Sequence, residues 1–436
     1  MIKFYKNGEE FLKDNIVILN QYPLDTSFFK VNSKLLNTFD RRNYSFKVID
    51  GNNYLLVMRL DDYNLLLFGE TNLVKEAIDI ICDYHLYFYG ILASKELIDE
   101  FYLHYINRRG GESFIRHKMD MMYLKELKEN PTMSVVKADS TDINIIANYV
   151  VEFNEQALNE SNINLKDVIF RVTKEIDSYY LLKVNNKIVS MAKIAREDDN
   201  ICAITSVYTP IEHRNKGYSR QVVTHICQLI LNKGKTPYLY VDKENPISNH
   251  LYLKIGFQYA ESKYDVAYKK GDIATLILAG GCFWCIAEPF YHIDGVKKVI
   301  SGYTGGSELF PTYELVKDHK TGHREAILIE YDKTKLATSR LIDVYYDHID
   351  PFDDSGQFID KGFNYTCALF SDNDGACEYV YNRNYHLEKK YNKKVYVDIL
   401  SEKVFFKAEE YHQDYSIKNP QKMEEELINS GRKTKN

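Results

Sequence analysis

The stretch Gly280-Gly281-Cys282-Phe283-Trp284-Cys285 brings two thiols together with the only tryptophan of the chain. The apolar run at residues 273–279 before it is typical of a buried strand, and residues 286–292 after it have helical character. The glycine pair then supplies the turn between them. We therefore expect Cys282 at the start of a helix, where free backbone N–H groups and the helix dipole lower the pKa of a thiol. The stretch indicates a reactive cysteine at a strand-to-helix junction.

The composition limits the class of protein. With 436 residues the chain is long enough for about three domains, and 45% hydrophobic with 27% charged residues is ordinary for a globular protein. A net charge of -6 without a basic stripe argues against a nucleic-acid partner. The uncharged run at residues 273–287 is shorter than the roughly 20 residues of a membrane-spanning helix, so no membrane association is expected.

The number of cysteines and the N-terminal residues indicate the cellular compartment of the protein. The chain has 7 cysteines, an odd number in a large chain with ample core, which favours a reducing compartment over a disulfide scaffold. The acidic residues Glu9, Glu10 and Asp14 stand where a secretion signal has its apolar run. We expect a cytoplasmic protein.

Apolar patterns and breaks divide the chain into three predicted domains, residues 1–130, 133–270 and 273–436. In the first, strands at 45–49 and 54–59 form a hairpin, and helices cover 70–84 and 94–107. The break is at Asn130-Pro131, because proline interrupts helix continuation. The second domain is predicted to contain these elements in order: a strand from Met133, a helix at 141–158, strands at 179–184, 188–194 and 202–208, a helix at 217–231, a strand at 237–241, a helix at 247–253, and a strand after Phe257. A polar linker at 269–272 precedes the third domain.

Four further motifs follow the cysteine stretch in order. They are Gly302-Tyr303-Thr304-Gly305-Gly306, Pro311-Thr312-Tyr313-Glu314, Gly322-His323-Arg324-Glu325-Ala326, and residues 409–415, which read EEYHQDY. With residues 279–285 they closely resemble peptide methionine sulfoxide reductase A over about residues 273–420. The resemblance implies an α+β domain that reduces the S epimer of methionine sulfoxide, free or in oxidised proteins, to methionine.

Sulfoxide reduction needs a thiolate that attacks sulfur, a proton donor for the oxygen, and an apolar cage for the methyl group. By the resemblance Cys282 is the nucleophile, and Phe283 and Trp284 form the cage. Glu325 is the general acid, which requires that burial against these rings raise the pKa of its carboxyl.

The resemblance also indicates which residues stabilise the charge that develops on the sulfoxide oxygen. Tyr303 and Tyr365 are expected to hydrogen-bond the sulfoxide oxygen, and Asp360 to orient the site. His412 is either a packed or a capping histidine. The segment at 362–367 departs from the family pattern, since Thr366 replaces an arginine and Cys367 replaces a serine.

Reduction leaves a sulfenic acid on Cys282, which family members usually resolve with a second cysteine to a disulfide that thioredoxin reduces. Residues 378–436 contain no cysteine. Our order of candidates is Cys285, one helical turn away, then Cys367, which would share a strand face with Tyr365, then Cys377 after a turn. Direct reduction by another external thiol stays open. No metal is expected.

A second set of motifs lies in the middle domain. The segment Arg214-Asn215-Lys216-Gly217-Tyr218-Ser219 joins a strand to a helix, an arrangement that binds anions through converging N–H groups. Downstream stand Asn245, Asn249 and Tyr252, followed by Gly256-Phe257. Together these residues resemble the GNAT acyltransferase superfamily over about residues 133–270.

The GNAT resemblance implies acetyl-CoA as the cofactor. It places the pyrophosphate at Arg214–Ser219, Val207 beside the thioester, and Asn245 and Asn249 with the cofactor. Tyr252 is expected to protonate the departing CoA thiolate. The acceptor is an amine of unknown identity, and the candidate bases, Glu152 and Glu155, are chosen because they lie on a helix before the core.

Residues 1–130 resemble the degenerate half of tandem GNAT proteins. Arg108-Arg109-Gly110-Gly111 follows a predicted helix rather than a strand, so it does not recreate the phosphate loop. A scaffold or acceptor-binding role is favoured over catalysis. The fold class is therefore α/β and α+β multidomain, with tandem GNAT-like units before a methionine sulfoxide reductase A domain.

Two other hypotheses compete. In one, Cys282 and Cys285 form a thioredoxin-like dithiol that exchanges disulfides, and this would leave Glu325 and the tyrosine motifs without a role. In the other, residues 1–270 form an acyl-CoA-binding or targeting module without transfer activity.

Overall fold

Two large sheets with helices on their faces make up the computed structural model, which describes residues 1–158 and 162–432. The strands are β1 Ile2–Tyr5, β2 Tyr44–Asp50, β3 Asn53–Arg59, β4 Leu65–Gly69, β5 Gly90–Ala93, β6 Glu112–Tyr123, β7 Val135–Lys137, β8 Tyr179–Val184, β9 Lys187–Glu197, β10 Ile201–Tyr208, β11 Thr236–Asp242, β12 Gln258–Lys269, β13 Ile273–Ala279, β14 Val296–Thr304, β15 Arg324–Asp332, β16 Gly356–Gln357, β17 Asp360–Lys361, β18 Ala368–Phe370, β19 Asp398–Leu400 and β20 Phe406–Lys407. The helices are α1 Gly8–Gln21, α2 Ser27–Ser33, α3 Val74–Asp83, α4 Lys95–Arg109, α5 Ile143–Leu158, α6 Leu165–Lys174, α7 Tyr218–Asn232, α8 Pro246–Ile255, α9 Phe283–Ala287, α10 Tyr313–Lys317, α11 Thr338–Asp347, α12 Asp374–Tyr391, α13 Tyr415–Lys418 and α14 Pro420–Asn429.

The first sheet interleaves strands from two predicted domains. Within the described residues its order is β1-β2-β3-β4-β5-β12-β6-β11-β10-β9-β8-β7. Strand β12 lies antiparallel between β5 and β6, and β6 pairs in turn with β11. The sheet therefore runs without interruption across the break predicted at Asn130-Pro131. Its division into residues 1–130 and 133–270 stays a prediction.

Two strands of this sheet pair over only part of their length, which leaves a gap in the hydrogen-bond ladder beyond their last pair. Strands β10 and β11 are parallel neighbours from the pair Ile201 and Thr236 to the pair Ala203 and Tyr238. Beyond these pairs β10 has a bulge toward its end, with Ser206 at a φ of 50°. Helix α7 covers this region and buries residues at helical spacing: Val222, Val223, Ile226 and Ile230.

The second sheet carries the cysteine stretch. Its order is β19-β18-β13-β15-β14-β20. Strand β13 has the predicted bounds, lies between β15 and β18, and buries its residues 276–279. Because β13 has a strand on each side, the loop that follows it starts from an inner strand and not from an edge strand of the sheet.

Several element predictions are confirmed and others are wrong. The hairpin of β2 and β3 and the helix before Gly110 have the predicted types. The helix predicted at 286–292 is wrong: α9 starts earlier and ends at Ala287, before a 3-10 turn at Glu288–Phe290. Pro289 explains the early end, since it has no N–H and its ring obstructs the preceding turn. Helix α6 was not predicted.

None of the helices in residues 1–158 and 162–432 combines the length and hydropathy that a bilayer crossing requires.

Candidate active sites

The loop after β13 positions the cysteine pair. Gly281 has a φ of 85°, and a Cβ there would lie 2.3 Å from Nη2 of Arg432, so only glycine fits. Its N–H donates to the carbonyl of Tyr365 at 3.0 Å. Cys282 is the N-cap of α9 and is partly exposed, while Cys285 is buried one turn later. The predicted start of a helix at Cys282 is confirmed.

The electrostatics of the two thiols differ from the prediction. The pKa of Cys282 is raised chiefly by its hydrogen bond with Cys285 and by burial, with smaller effects from the acids Glu325 and Asp360. The pKa of Cys285 is lowered, chiefly by the same hydrogen bond, with Arg432 contributing. The expected lowering at Cys282 is therefore wrong for the free protein. Helix α9 has 5 residues, so its dipole is small, and the hydrogen bond with Cys285 together with burial outweighs it.

Glu325 is the second residue of β15, and its side chain contacts the loop that carries the two cysteines. Its side chain is 2% exposed, and Oε2 accepts a hydrogen bond from the backbone N–H of Phe283 at 3.0 Å. Burial raises the pKa of Glu325 to about 8, and the charges of Asp360 and Cys285 add to this effect. The carboxyl is thus largely protonated at neutral pH and can donate a proton.

Aromatic rings surround the cysteine. Trp284 stacks on Tyr415 with centroids 3.9 Å apart and an interplanar angle of 9°. Phe283 is buried and contacts the rings of Trp284 at 5.7 Å and His412 at 5.1 Å. His412 is buried among these rings, and within the described chain neither of its ring nitrogens has a hydrogen-bond partner. It is therefore a packed histidine rather than a capping one.

Of the two tyrosines predicted to bind oxygen, one has its hydroxyl engaged elsewhere. Tyr303 is fully buried, and its hydroxyl donates to Oε2 of Glu409 at 2.9 Å. Oε1 of Glu409 accepts the backbone N–H of Tyr313 at 3.0 Å. This chain of contacts makes Tyr303 a support for the start of α10, which corrects its predicted role at the oxygen.

Tyr313 is the residue that sequence reasoning missed, although its motif was recognised. Its ring lies 4.4 Å from that of His412 and 6.5 Å from that of Phe283. Burial raises the pKa of Tyr313 to about 12, with Glu325 and Cys282 adding to it. The motif's Thr312 caps α10, a helix-start signal that could have shown that the next side chain is fixed.

Tyr365 lies with the acids and the cysteine as predicted. Its pKa is raised by burial and then by Glu325, Tyr313 and Asp360, so it lies close to the Glu325 carboxyl. It belongs to a 3-10 turn at Phe363–Tyr365, before β18 begins. The expectation that Cys367 shares a strand face with Tyr365 is therefore wrong.

Asp360 has a partner that the sequence did not reveal. Its Oδ2 accepts from Nη1 of Arg432 at 3.1 Å, and the Arg432 side chain is 6% exposed. Nε and Nη2 of Arg432 have no hydrogen-bond partner among the described residues. Its guanidinium also lies 4.6 Å from the centroid of the Phe358 ring. A buried, half-paired guanidinium next to Gly281 favours negative charge in the cysteine loop.

The missing family arginine is partly replaced. Arg324 donates from Nε to Oγ1 of Thr366 at 2.7 Å and pairs with Asp398. A guanidinium from β15 therefore reaches the position that the sequence comparison left without one.

The other two resolving candidates are less suited to attack. Cys367 is fully buried, and burial raises its pKa to about 12. Cys377 is partly exposed, its Sγ donates to the carbonyl of Ser371 at 3.4 Å, and burial raises its pKa. Of the thiols near Cys282, Cys285 has the lowered pKa. In the described part of the chain, no group of three or more His, Cys, Asp or Glu could hold a metal ion.

The predicted phosphate loop lies at the gap between β10 and β11. Gly217 is the N-cap of α7 with a φ of 76°, and a Cβ there would meet open space. Arg214 donates from Nε to the carbonyl of Thr209 at 3.0 Å, and Lys216 donates to the carbonyl of Glu212 at 3.2 Å. The first amides of α7 lack intrahelical partners by geometry, so this end of the helix can receive an anion.

Next to the bulge in β10, a tyrosine hydroxyl binds a carboxylate of α5. Val207 lies in the bulge and is partly buried. Tyr208 donates from its hydroxyl to Glu152, and burial, followed by Glu152, raises the pKa of Tyr208 to about 12. Glu155 is exposed. Of the two predicted bases, Glu152 is therefore the one that contacts the end of β10, through Tyr208.

The α8 residues that were predicted to bind the cofactor or act on it mostly make contacts within the protein. Asn245 caps α8, and its Oδ1 accepts from the N–H of Ser248 at 3.1 Å. Asn249 donates from Nδ2 to the carbonyls of Asp242 and Asn245, while its Oδ1 is buried without a partner in the described residues. Tyr252 is 6% exposed and packs 5.7 Å from the Phe257 ring.

Comparisons with known proteins agree with this geometry. The family model described as peptide methionine sulfoxide reductase matches residues 274–436, and the model described as FR47-like protein matches residues 184–266. A Leuconostoc mesenteroides protein named peptide methionine sulfoxide reductase MsrA is 41% identical over 152 residues, which are 34% of this chain and 89% of that protein. A Bacillus licheniformis protein of the same name is 42% identical over 166 residues, 38% of this chain and 91% of that protein. The chain belongs to the peptide methionine sulfoxide reductase family.

A solved acetyltransferase of the GNAT family from Colwellia psychrerythraea is similar to the other part of the chain. The overlap covers 62% of this chain and 100% of that one at 11% identity, with a TM-score of 0.40. The region before residue 273 has a GNAT-like acetyltransferase fold. Both predicted resemblances and the predicted multidomain fold class are thus confirmed.

Proposed function

We propose that residues 273–436 reduce methionine S-sulfoxide, free or in oxidised proteins, and that residues 133–270 transfer an acetyl group from acetyl-CoA to an amine. The observation that carries the first activity is the buried Glu325 carboxyl, protonated at neutral pH, beside the thiol of Cys282. Family membership supports it and disfavours a thioredoxin-like dithiol, which has no use for this acid.

The reduction step balances within the site. The sulfur of Cys282 attacks the sulfoxide sulfur while Glu325 gives its proton to the sulfoxide oxygen. The Glu325 carboxylate then accepts the thiol proton of Cys282. The oxygen moves to the Cys282 sulfur, its bond to the methionine sulfur breaks, and methionine leaves. Methionine sulfur is reduced by two electrons, Cys282 is oxidised to the sulfenic acid, and no net proton is consumed.

Neighbouring side chains orient the substrate. Tyr365 and Tyr313 are the hydroxyls that bind the sulfoxide oxygen as charge develops on it. Phe283 and Trp284 enclose the methyl group and exclude water. Asp360 holds Arg432 in place.

Cys285 resolves the sulfenic acid in this proposal. Its thiolate attacks the Cys282 sulfur, a disulfide forms, and the S–O bond breaks, so hydroxide leaves and is protonated to water. Arg432 favours the Cys285 thiolate, which supports the choice of Cys285 over Cys367 and Cys377. A thioredoxin-type dithiol then reduces the disulfide by exchange.

The test of the reductase uses dabsylated methionine S-sulfoxide and the full chain. Cys282→Ser should abolish methionine formation, whereas Cys377→Ser, the control at another partly exposed cysteine, should retain it. Sulfoxide turnover by the Cys282→Ser protein would refute the assignment. Turnover of insulin disulfides without sulfoxide turnover would favour the dithiol hypothesis.

The acetyltransferase proposal rests on the gap between β10 and β11 and on the open start of α7. Pyrophosphate binds at residues 214–219, Val207 lies beside the thioester, and Asn249 offers its unpaired Oδ1 to the cofactor. Glu152 is the base for the amine, and Tyr252 is the acid for the CoA thiolate. Residues 1–130 serve as a scaffold for this domain.

Calorimetry with acetyl-CoA tests the phosphate loop. Gly217→Glu should abolish binding, because it adds a carboxylate where the pyrophosphate lies. Gly234→Glu is a matched control: Gly234 has a φ of 73° and open space at its Cβ, against 76° and open space at Gly217. Retained affinity in Gly217→Glu would contradict the loop, and binding without acetylation of any amine would favour a non-catalytic module.

A further inference from the structure

The segment that leads to Tyr313 is held by residues from the far end of the chain. Phe310 lies in the connection between β14 and α10, and its ring stacks on Phe4 of β1 at 5.2 Å. It also meets Phe39 edge-on at 5.1 Å and Phe406 of β20 at 5.8 Å. Tyr84 completes the cluster, 5.0 Å from Phe4 and 6.2 Å from Phe406. We call these five rings the aromatic clamp.

The backbone of Phe310 needs such a restraint. Its φ is 58°, the left-handed region, where the Cβ of a bulky residue is disfavoured. The following residue, Pro311, further restricts the residue before it. An isolated Phe-Pro pair would leave this conformation, so contacts elsewhere must maintain it. The rings of Phe4 and Phe39 supply those contacts.

The clamp connects directly to the reductase site. Three residues beyond Phe310, the N–H of Tyr313 donates to Glu409. On the other side of the clamp, Phe406 pairs in register with Tyr303, whose hydroxyl donates to the same Glu409. Displacement of Phe310 would therefore release the backbone that orients Tyr313.

Buried charges fix the two sides of the clamp. Asp83 lies next to Tyr84 and accepts from Lys298 of β14 at 2.8 Å and pairs with Lys407 of β20 at 3.5 Å. Arg108 of α4 bonds to Glu330 of β15 at 2.7 Å. The Asp83 and Glu330 side chains are 7% and 2% exposed, so solvent screens these pairs little.

We propose that residues 1–130 are a built-in positioning element of the reductase, in which Phe4 and Phe39 hold Phe310 and thereby the orientation of Tyr313. Phe4, Phe39 and Phe310 are positioning residues, since they act through Tyr313 and do not touch substrate. The inference rests on the proposed reduction of methionine sulfoxide, and it gives residues 1–130 a role in that reaction beyond a scaffold for acetyl transfer.

The test compares full-length variants in single turnover with methionine S-sulfoxide. The Phe4→Ala and Phe39→Ala double variant should release methionine roughly ten- to a hundredfold more slowly, the loss expected when a catalytic group is displaced by about 1 Å. Phe310→Ala should show the same loss, and Phe310→Tyr should restore the rate. Phe29→Ala is the control: Phe29 is 2% exposed and stacks on Phe11 in a separate core cluster. It should keep the wild-type rate.

A double-mutant cycle shows whether the clamp acts through Tyr313. In a Tyr313→Phe background, adding Phe4→Ala and Phe39→Ala should cause no further loss, because residues that act as one unit are not additive. An undiminished rate in the clamp variant, or the same fold loss in both backgrounds, would overturn the inference.

Hydrogen exchange tests the structural effect of the aromatic clamp independently of sulfoxide reduction. The amides of residues 305–310, 312 and 313 should exchange faster in the Phe4→Ala and Phe39→Ala protein than in wild type or Phe29→Ala. Unchanged exchange would overturn the clamp even if activity falls. A wild-type chain that forms no methionine would refute the proposed reaction, while faster exchange would still support the clamp.

Discussion

Glu325→Gln should stabilise the reductase domain while it abolishes sulfoxide reduction. Burial raises the pKa of Glu325 from an ordinary 4.5 to about 8. The native protein therefore keeps a proton that the unfolded chain loses above pH 4.5, and stability falls as pH rises from about 4.5 to 8. With about 1.4 kcal/mol for each pKa unit, the cost is about 3 kcal/mol at pH 7 and about 5 kcal/mol above pH 9.

Glutamine resembles the protonated acid but cannot release a proton. Its amide oxygen can still accept the N–H of Phe283, so the native contact survives. The gain in the free energy of unfolding should therefore be near zero at pH 4 and grow to a few kcal/mol above pH 8. Methionine formation should be lost at every pH, because the proton for the sulfoxide oxygen is gone.

Urea unfolding followed by tryptophan fluorescence measures this gain. Trp284 is the only tryptophan of the chain, so the signal reports the reductase site. Glu378→Gln, an exposed change on α12, is the control and should leave the midpoint unchanged at each pH. A gain that does not vary with pH, or a loss of stability at pH 9, would refute the assignment of a buried, protonated Glu325.

The remaining predictions concern the same site. The rate of sulfoxide reduction should fall as pH rises through about 8, because Glu325 must be protonated to act as the acid; a rate that keeps rising past pH 9 would contradict this. Arg432→Met should slow disulfide formation by Cys285 more than it slows release of the first methionine, as measured by quenched-flow alkylation; equal slowing of both would argue against the role given to the guanidinium. Tyr313→Phe should reduce the single-turnover rate more than Tyr303→Phe does, since the Tyr303 hydroxyl is bonded to Glu409; the reverse order would contradict it.

Local patterns were sufficient for some features of the fold. Strand β13 has the predicted bounds, because an uncharged, largely apolar run ended by two glycines has few other options. Cys282 begins a helix for the same reason. The interleaving of β6 and β12 was not predicted, since strand order depends on contacts between residues far apart in sequence.

Features of the site that depend on distant residues could not be predicted. The motifs at 302–306 and 311–314 each contain a tyrosine, but they do not show that the Tyr303 hydroxyl donates to Glu409 while Tyr313 lies close enough to Glu325 for that acid to raise its pKa. The pKa of Cys282 is raised chiefly by its hydrogen bond with Cys285 and by burial, and the burial comes from packing that the local sequence does not show. Arg432 carried no local signal, because its role comes only from its approach to Asp360. The residue types were predictable, but the directions of their side chains were not.

The most direct test of the central claim is peptide mass spectrometry of the full chain after one equivalent of methionine S-sulfoxide and alkylation. We predict one methionine released per chain and a disulfide between Cys282 and Cys285, with Cys367 and Cys377 still alkylated as free thiols. Methionine formed while Cys282 stays a free thiol, or a disulfide that joins Cys282 to Cys367 or Cys377, would contradict the account.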